Sequence, residues 1–95
     1  MTSKQRASLR SMANTMETIL YVGNAGVTPA TVHEASQALD ARELIKCCVN
    51  QGAPLTAREA LNELCAQLGA EPVQCIGRRF VMYRPNPDNP RIVLE

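Results

Sequence analysis

Ile19-Leu20-Tyr21-Val22-Gly23-Asn24-Ala25-Gly26-Val27-Thr28-Pro29 is the stretch from which the fold can be read. Four apolar residues closed by a glycine predict a short strand over Ile19–Val22, and the unbroken apolar run predicts a buried, central one. Gly23 to Gly26 reads as a turn. Thr28 and Pro29 then read as the N-cap and first position of a helix, because a threonine hydroxyl accepts from a free amide and proline has no amide to lose. Val32, Ala35, Ala38 and Leu39 recur at helical spacing and give that helix an inner face. The next strand is Leu44–Val49, with Ile45, Cys47 and Val49 on one side and Lys46 on the other.

Working outward, Thr2 with Gln5 forms a capping box for an opening helix whose apolar positions are Leu9, Met12, Ala13 and Met16. Arg6 and Arg10, four apart, share one face of it. Downstream, Gln51-Gly52-Ala53-Pro54 breaks the chain, and Thr56 with Glu59 caps a third helix. Ala60, Leu61, Leu64, Cys65 and Leu68 make its apolar stripe and Gly69 its end. Pro72–Ile76 and Phe80–Arg84 read as strands around Gly77-Arg78-Arg79, a hairpin that exposes both arginines at its tip. Right-handed crossovers in two strand-helix-strand units set parallel strands side by side, and the hairpin adds an antiparallel neighbour. The expected architecture is therefore α/β (α+β), two-layer, in the order α-β-α-β-α-β-β with a four-stranded mixed sheet. Residues 1–85 form one domain; Asn86-Pro87-Asp88-Asn89-Pro90 cannot continue a strand, leaving 86–95 as a C-terminal extension.

Ninety-five residues suffice for one core and not for two. With Tyr21, Phe80 and Tyr83 as the aromatics, that core must be aliphatic. No apolar run approaches the roughly 18 residues of a membrane span, and Met1 leads into the polar Thr2-Ser3-Lys4-Gln5-Arg6, so a cytoplasmic protein without a membrane partner is expected. Cys47 and Cys48 are adjacent, too close for an ordinary disulfide, and all four cysteines read as reduced apolar residues. One histidine, His33, and no C-x-x-C pair leave no metal site. Neither G-x-G-x-x-G nor Gly-Lys-Ser/Thr occurs, so no cofactor and no small-molecule substrate is expected. No nucleophile stands beside a base, which points away from an enzyme.

Charge is informative by its placement. Glu34 to Glu71 holds three basic against six acidic residues, while Lys4, Arg6, Arg10, Arg78, Arg79, Arg84 and Arg91 gather at the flanks. The Gly23-Asn24-Ala25-Gly26 turn lies between a strand and a helix N-terminus, where amides and the helix dipole attract phosphate and glycine lets a nucleic-acid backbone approach. A tight turn needing positive φ explains the same two glycines.

Gln74-Cys75-Ile76-Gly77-Arg78-Arg79-Phe80-Val81-Met82-Tyr83-Arg84-Pro85 closely resembles the signature of the CRM domain, whose stand-alone bacterial form is the YhbY family. Thr2 to Ala7 with Leu9-Arg10-Ser11 and Ala13-Asn14 resembles the family's opening helix, Val22 to Thr28 its G-x-x-G loop, and Glu43-Leu44-Ile45-Lys46 its second strand. The resemblance implies a fold similar to the C-terminal domain of bacterial initiation factor three, RNA as partner, and association with rRNA in precursors of the large ribosomal subunit. The family loop usually carries lysine, as in G-K-G-G; here Asn24 and Ala25 take the middle. The residues expected to meet RNA are then Gly23, Asn24, Ala25 and Gly26 with Lys4, Arg6, Arg10, Arg78 and Arg79. A protein-interaction module in an assembly or splicing complex is the alternative.

Overall fold

The computed structural model describes residues 1–94; Glu95, the end of the expected extension, falls outside the described residues. Seven elements follow in the expected order: α1 (Ser3–Ala13), β1 (Thr18–Val22), α2 (Pro29–Arg42), β2 (Leu44–Val49), α3 (Ala57–Leu68), β3 (Glu71–Ile76) and β4 (Arg79–Tyr83). Local chemistry explains their starts. Thr2, Thr28 and Thr56 are N-caps in extended conformation, each accepting from the amide three residues on, and Gln5, Thr31 and Glu59 return the bond. Gly69, at φ 64°, ends α3 in the left-handed conformation.

The sheet order is β1-β2-β4-β3, with β1 parallel to β2 and β4 antiparallel to both its neighbours. Two expectations are corrected here. Ile19–Val22 is not central: β1 is an edge strand, Tyr21 is 58% exposed, and only Leu20 and Val22 turn fully into the core. Nor do β2 and β3 lie side by side, because β4 inserts between them. The physical reason is in the hairpin's own residues. Phe80, Val81, Met82 and Tyr83 are all buried and take the inner position, whereas β3 carries Pro72, which lacks an amide for a second ladder and suits an edge.

Two cores flank the sheet. On one face α2 and α3 pack over Leu20, Val22, Ile45, Cys47, Val49, Phe80 and Met82. On the other, Leu9 and Ala13 of α1 pack with Leu44, Val73, Val81 and Tyr83. The two layers expected are α2 and α3 on the sheet, and α1 adds a third layer behind it. Each large side chain fully buried in this way contributes about 1.5–3 kcal/mol. No helix among the described residues is long and apolar enough to cross a membrane.

The segment beyond Tyr83 is tied to the domain. Glu43 is buried, and its carboxylate accepts from the backbone N–H of Asn86 (2.7 Å), Arg91 and Ile92 (2.8 Å). Ile92 and Leu94 then pack against the α1 core. What reads in sequence as an extension thus lies folded over the domain through residue 94.

Candidate nucleic-acid interface

Register fixes which loops meet. Val22 pairs with Val49, and Cys48 with Arg79, which pairs with Ile76. The G-x-x-G corner after β1, the Asn50–Pro54 loop after β2 and the β3–β4 turn therefore share one end of the sheet. The backbone N–H of Val49 donates to Arg78 O at 2.8 Å, and that of Asn50 to Val22 O at 2.8 Å, holding the three together. A shallow cavity there is lined by Asn50, Gln51, Gly52, Thr56, Gly77 and Arg78, among others.

Within the corner the two glycines have different reasons. Gly26 is buried at φ +72°, and a Cβ on it would meet Pro54 Cγ at 3.3 Å. It serves the turn. Gly23 has open space where a Cβ would stand and is partly exposed, which fits close approach of a ligand backbone. Between them Asn24 and Ala25 are exposed, and their amides have no hydrogen-bond partner among the described residues. The amide of Gly26 donates to Gly23 O, and those of Thr28 and Thr31 are held by the capping box. The donors available for phosphate are therefore those of the loop middle rather than the whole helix N-terminus.

The hairpin arginines part company. Gly77, at φ +61°, and Arg78 form a two-residue turn, with glycine where type II′ hairpins take it. Arg78 stands at the tip beside the Asn50–Pro54 loop, at the same sheet end as the corner, whereas Arg79 is the first residue of β4 and lies on the α1 face of the sheet. Both are exposed. There Arg79 lines a cavity of about 200 Å³ with Asn14, Lys46, Gln74 and Ile76. Lys46 donates through Nζ to Ala13 O (3.2 Å) and Met16 O (3.4 Å), placing a cation at the C-terminal end of α1 where the helix dipole favours it.

The other expected cations are spread along α1. Arg6, Arg10 and Asn14 form one stripe at four-residue spacing, with Arg6 3.9 Å from Glu71 at the start of β3 and Asn14 at the Arg79 cavity. Arg10 lies between them and is exposed. Lys4 and Arg6 occupy the far end of the sheet, about 16 Å from the corner at the rise of six strand residues. Arg84, counted among the flanking cations, is consumed internally: it donates to Asp40 Oδ1 (2.8 Å), Ser36 O (3.1 Å) and Leu68 O (3.1 Å). Tyr21, hidden from sequence reading by the apolar run around it, stands exposed on the same sheet face as Arg79.

Burial disfavours the thiolate at two of the four cysteines. Burial, with Cys65 and Cys48 adding to it, pushes the Cys47 thiol far above its usual range, and burial with Glu71 pushes Cys65 up to about 11. Among the described residues no three His, Cys, Asp or Glu side chains gather as metal ligands do.

The CRS1 / YhbY (CRM) domain profile matches residues 1–84. A Bacillus subtilis protein named "Probable RNA-binding protein YqeI" is 34% identical over 94 residues, 99% of this chain and 98% of its own length. A Haemophilus influenzae protein named "RNA-binding protein" is 30% identical over 86 residues, 90% of this chain and 87% of its own. The solution structure of a Staphylococcus aureus protein matches 100% of this chain and 99% of its own with a TM-score of 0.74 and 32% sequence identity.

Proposed function

The chain belongs to the CRS1 / YhbY (CRM) domain family, and on that premise we propose that it binds structured RNA, specifically rRNA in cytoplasmic precursors of the large ribosomal subunit. The observation that carries the reading is the convergence at one sheet end of an open glycine corner with free amides and of Arg78 and Arg79, neither of which has an acidic partner among the described residues. Phosphate of the RNA backbone rests on Gly23, Asn24 and Ala25, with the turn held by Gly26, and the two arginines neutralise the adjoining phosphates. A duplex lying along α1 reaches Arg10 next, then Arg6 and Lys4. Contacts of this kind orient the RNA and recognise its shape, with little reading of sequence. No bond is made or broken.

Salt dependence tests it. Replacing Arg78 and Arg79 together by alanine is expected to lower the slope of log K against log salt by about 2, one for each phosphate released. An unchanged slope removes the two arginines from the interface. Co-sedimentation with large-subunit precursors that survives both nuclease and raised salt would favour a protein-docking module instead.

A further inference from the structure

Behind the glycine corner, on the face of the sheet that α1 only partly covers, one row of side chains crosses all four strands. Tyr21 pairs with Cys48, Cys48 with Arg79, and Arg79 with Ile76. Register partners point to the same side, and the neighbours Leu20, Val22, Cys47, Val49 and Phe80 all turn into the opposite core, so the row faces away from α2 and α3. It is open: Tyr21 is 58% and Ile76 66% exposed. Large apolar side chains left in water together on one row are the unusual case, because α1 ends at Ala13 and stops short of them.

The row's surroundings identify what it would hold. The row and the adjoining cavity of about 200 Å³ contain no acidic side chain; they contain Arg79, Lys46 and the carboxamides of Asn14 and Gln74. Lys46 uses two donors on the carbonyls of Ala13, at the end of α1, and Met16, just beyond it, and keeps a third. An aromatic ring on the edge strand and, two strands away on the same face, a cation match a nucleotide: a π-face to stack on and a phosphate to neutralise. Tyr21 also precedes Gly23 by two residues, about 7 Å along the strand, so a chain seated on the corner continues naturally onto the ring.

We infer that this row is a stacking site for one unpaired nucleobase of the bound RNA, with Tyr21 as the platform and Arg79 on its phosphate. The inference rests on the RNA reading given above and adds to it a preference for RNA helices with a single-stranded nucleotide beside them.

The test uses the full chain and two RNA hairpins of identical stem, one blunt and one with a short single-stranded overhang. Wild type is expected to bind the overhang hairpin more tightly. Tyr21→Ala is expected to weaken binding of that RNA by roughly 5- to 150-fold, the range associated with one base stack, and to leave the blunt hairpin unchanged. Tyr21→Phe retains the ring and should retain the preference, which separates stacking from any loss of fold in the alanine variant. Intrinsic fluorescence supplies a second readout, since Tyr21 is the exposed tyrosine and Tyr83 is buried; stacking should quench it in wild type. Equal affinities of wild type and Tyr21→Ala for the overhang RNA, without quenching, overturn the site while leaving the RNA reading intact and point to a protein partner for this face. Failure of the wild type to bind either hairpin overturns both.

Discussion

The two ends of the sheet carry similar residues and use them in opposite ways. At the end where β2 begins, Arg84 and Glu43 are spent on the protein itself, although Lys4 on α1 stays exposed there. Arg84 bridges α2 and the end of α3 through Asp40, Ser36 and Leu68, and Glu43 gathers three amides of the C-terminal segment. At the end where β2 finishes, Arg78 and Arg79 face solvent without an acid and the loop amides of Asn24 and Ala25 stand free. Charge count alone does not tell these ends apart. What separates them is whether each charge already has a partner, and an unspent donor is the one that remains for a ligand.

The closed end should yield the largest effect. Glu43 sits at φ 64°, the one positive φ outside glycine among the described residues, and it persists there because its carboxylate is engaged. Glu43→Ala is expected to cost about 3 kcal/mol in urea unfolding, since hydrogen bonds to a charged group are each worth about 1.5–3 kcal/mol and part is regained by hydration. RNA affinity of the folded variant should be unchanged. The same carboxylate predicts a pH dependence. Burial alone would raise its pKa, but the three amides and Arg91 hold it below its ordinary 4.5. A lowered folded pKa means stability present above the ordinary glutamate range and lost as pH falls through the folded pKa; wild type should therefore lose acid stability that Glu43→Gln does not lose. A flat difference between the two from neutrality down to strong acid would show that the clamp is not ionic.

A smaller effect should come from the open end's own turn. Gly26→Ala forces a Cβ onto a positive φ and against Pro54, and about 1–2 kcal/mol of stability should go with it. Gly23→Ala meets open space and should change stability by less than about 0.5 kcal/mol while weakening RNA binding. Equal thermal shifts for the two variants would erase the distinction drawn between them. Smallest of all, Arg6→Ala breaks a 3.9 Å surface pair with Glu71 and should move stability by no more than about 1 kcal/mol. If it lowers the salt slope as much as Arg78→Ala does, the RNA extends the length of α1 and the functional end is not confined to the loops.

Much of this was legible in the chain. The three threonine caps, Pro29, Gly69 and the apolar stripes of α2 and α3 read correctly because each depends on residues within four positions of one another, whereas in the stripe expected for α1 only Leu9 and Ala13 are buried: Met12 is exposed and Met16 lies beyond the helix. The hairpin and Arg78 at its tip read correctly for the same reason, as did the turn at Gly23–Gly26, whereas Arg79, expected at the tip, is the first residue of β4 and lies on the α1 face. Three longer-range features were not legible. Tyr21 was concealed within an apolar run that reads as wholly buried, although the run belongs to an edge. The inner place of β4 was signalled by Pro72 in β3 but needs the competition between two strands to decide it. Glu43 read as one more acid of the middle segment, yet its partners lie 43 to 49 positions away.

From the amino acids alone followed the seven elements, their sequence and the family resemblance, since hydrogen-bond caps and hydrophobic periodicity operate over one or two turns of chain. Tertiary structure decided which strand edges the sheet, which arginines are spent and which face lies bare. Those outcomes are set by groups far apart in sequence competing for the same neighbours, and only the folded chain brings them within reach of one another.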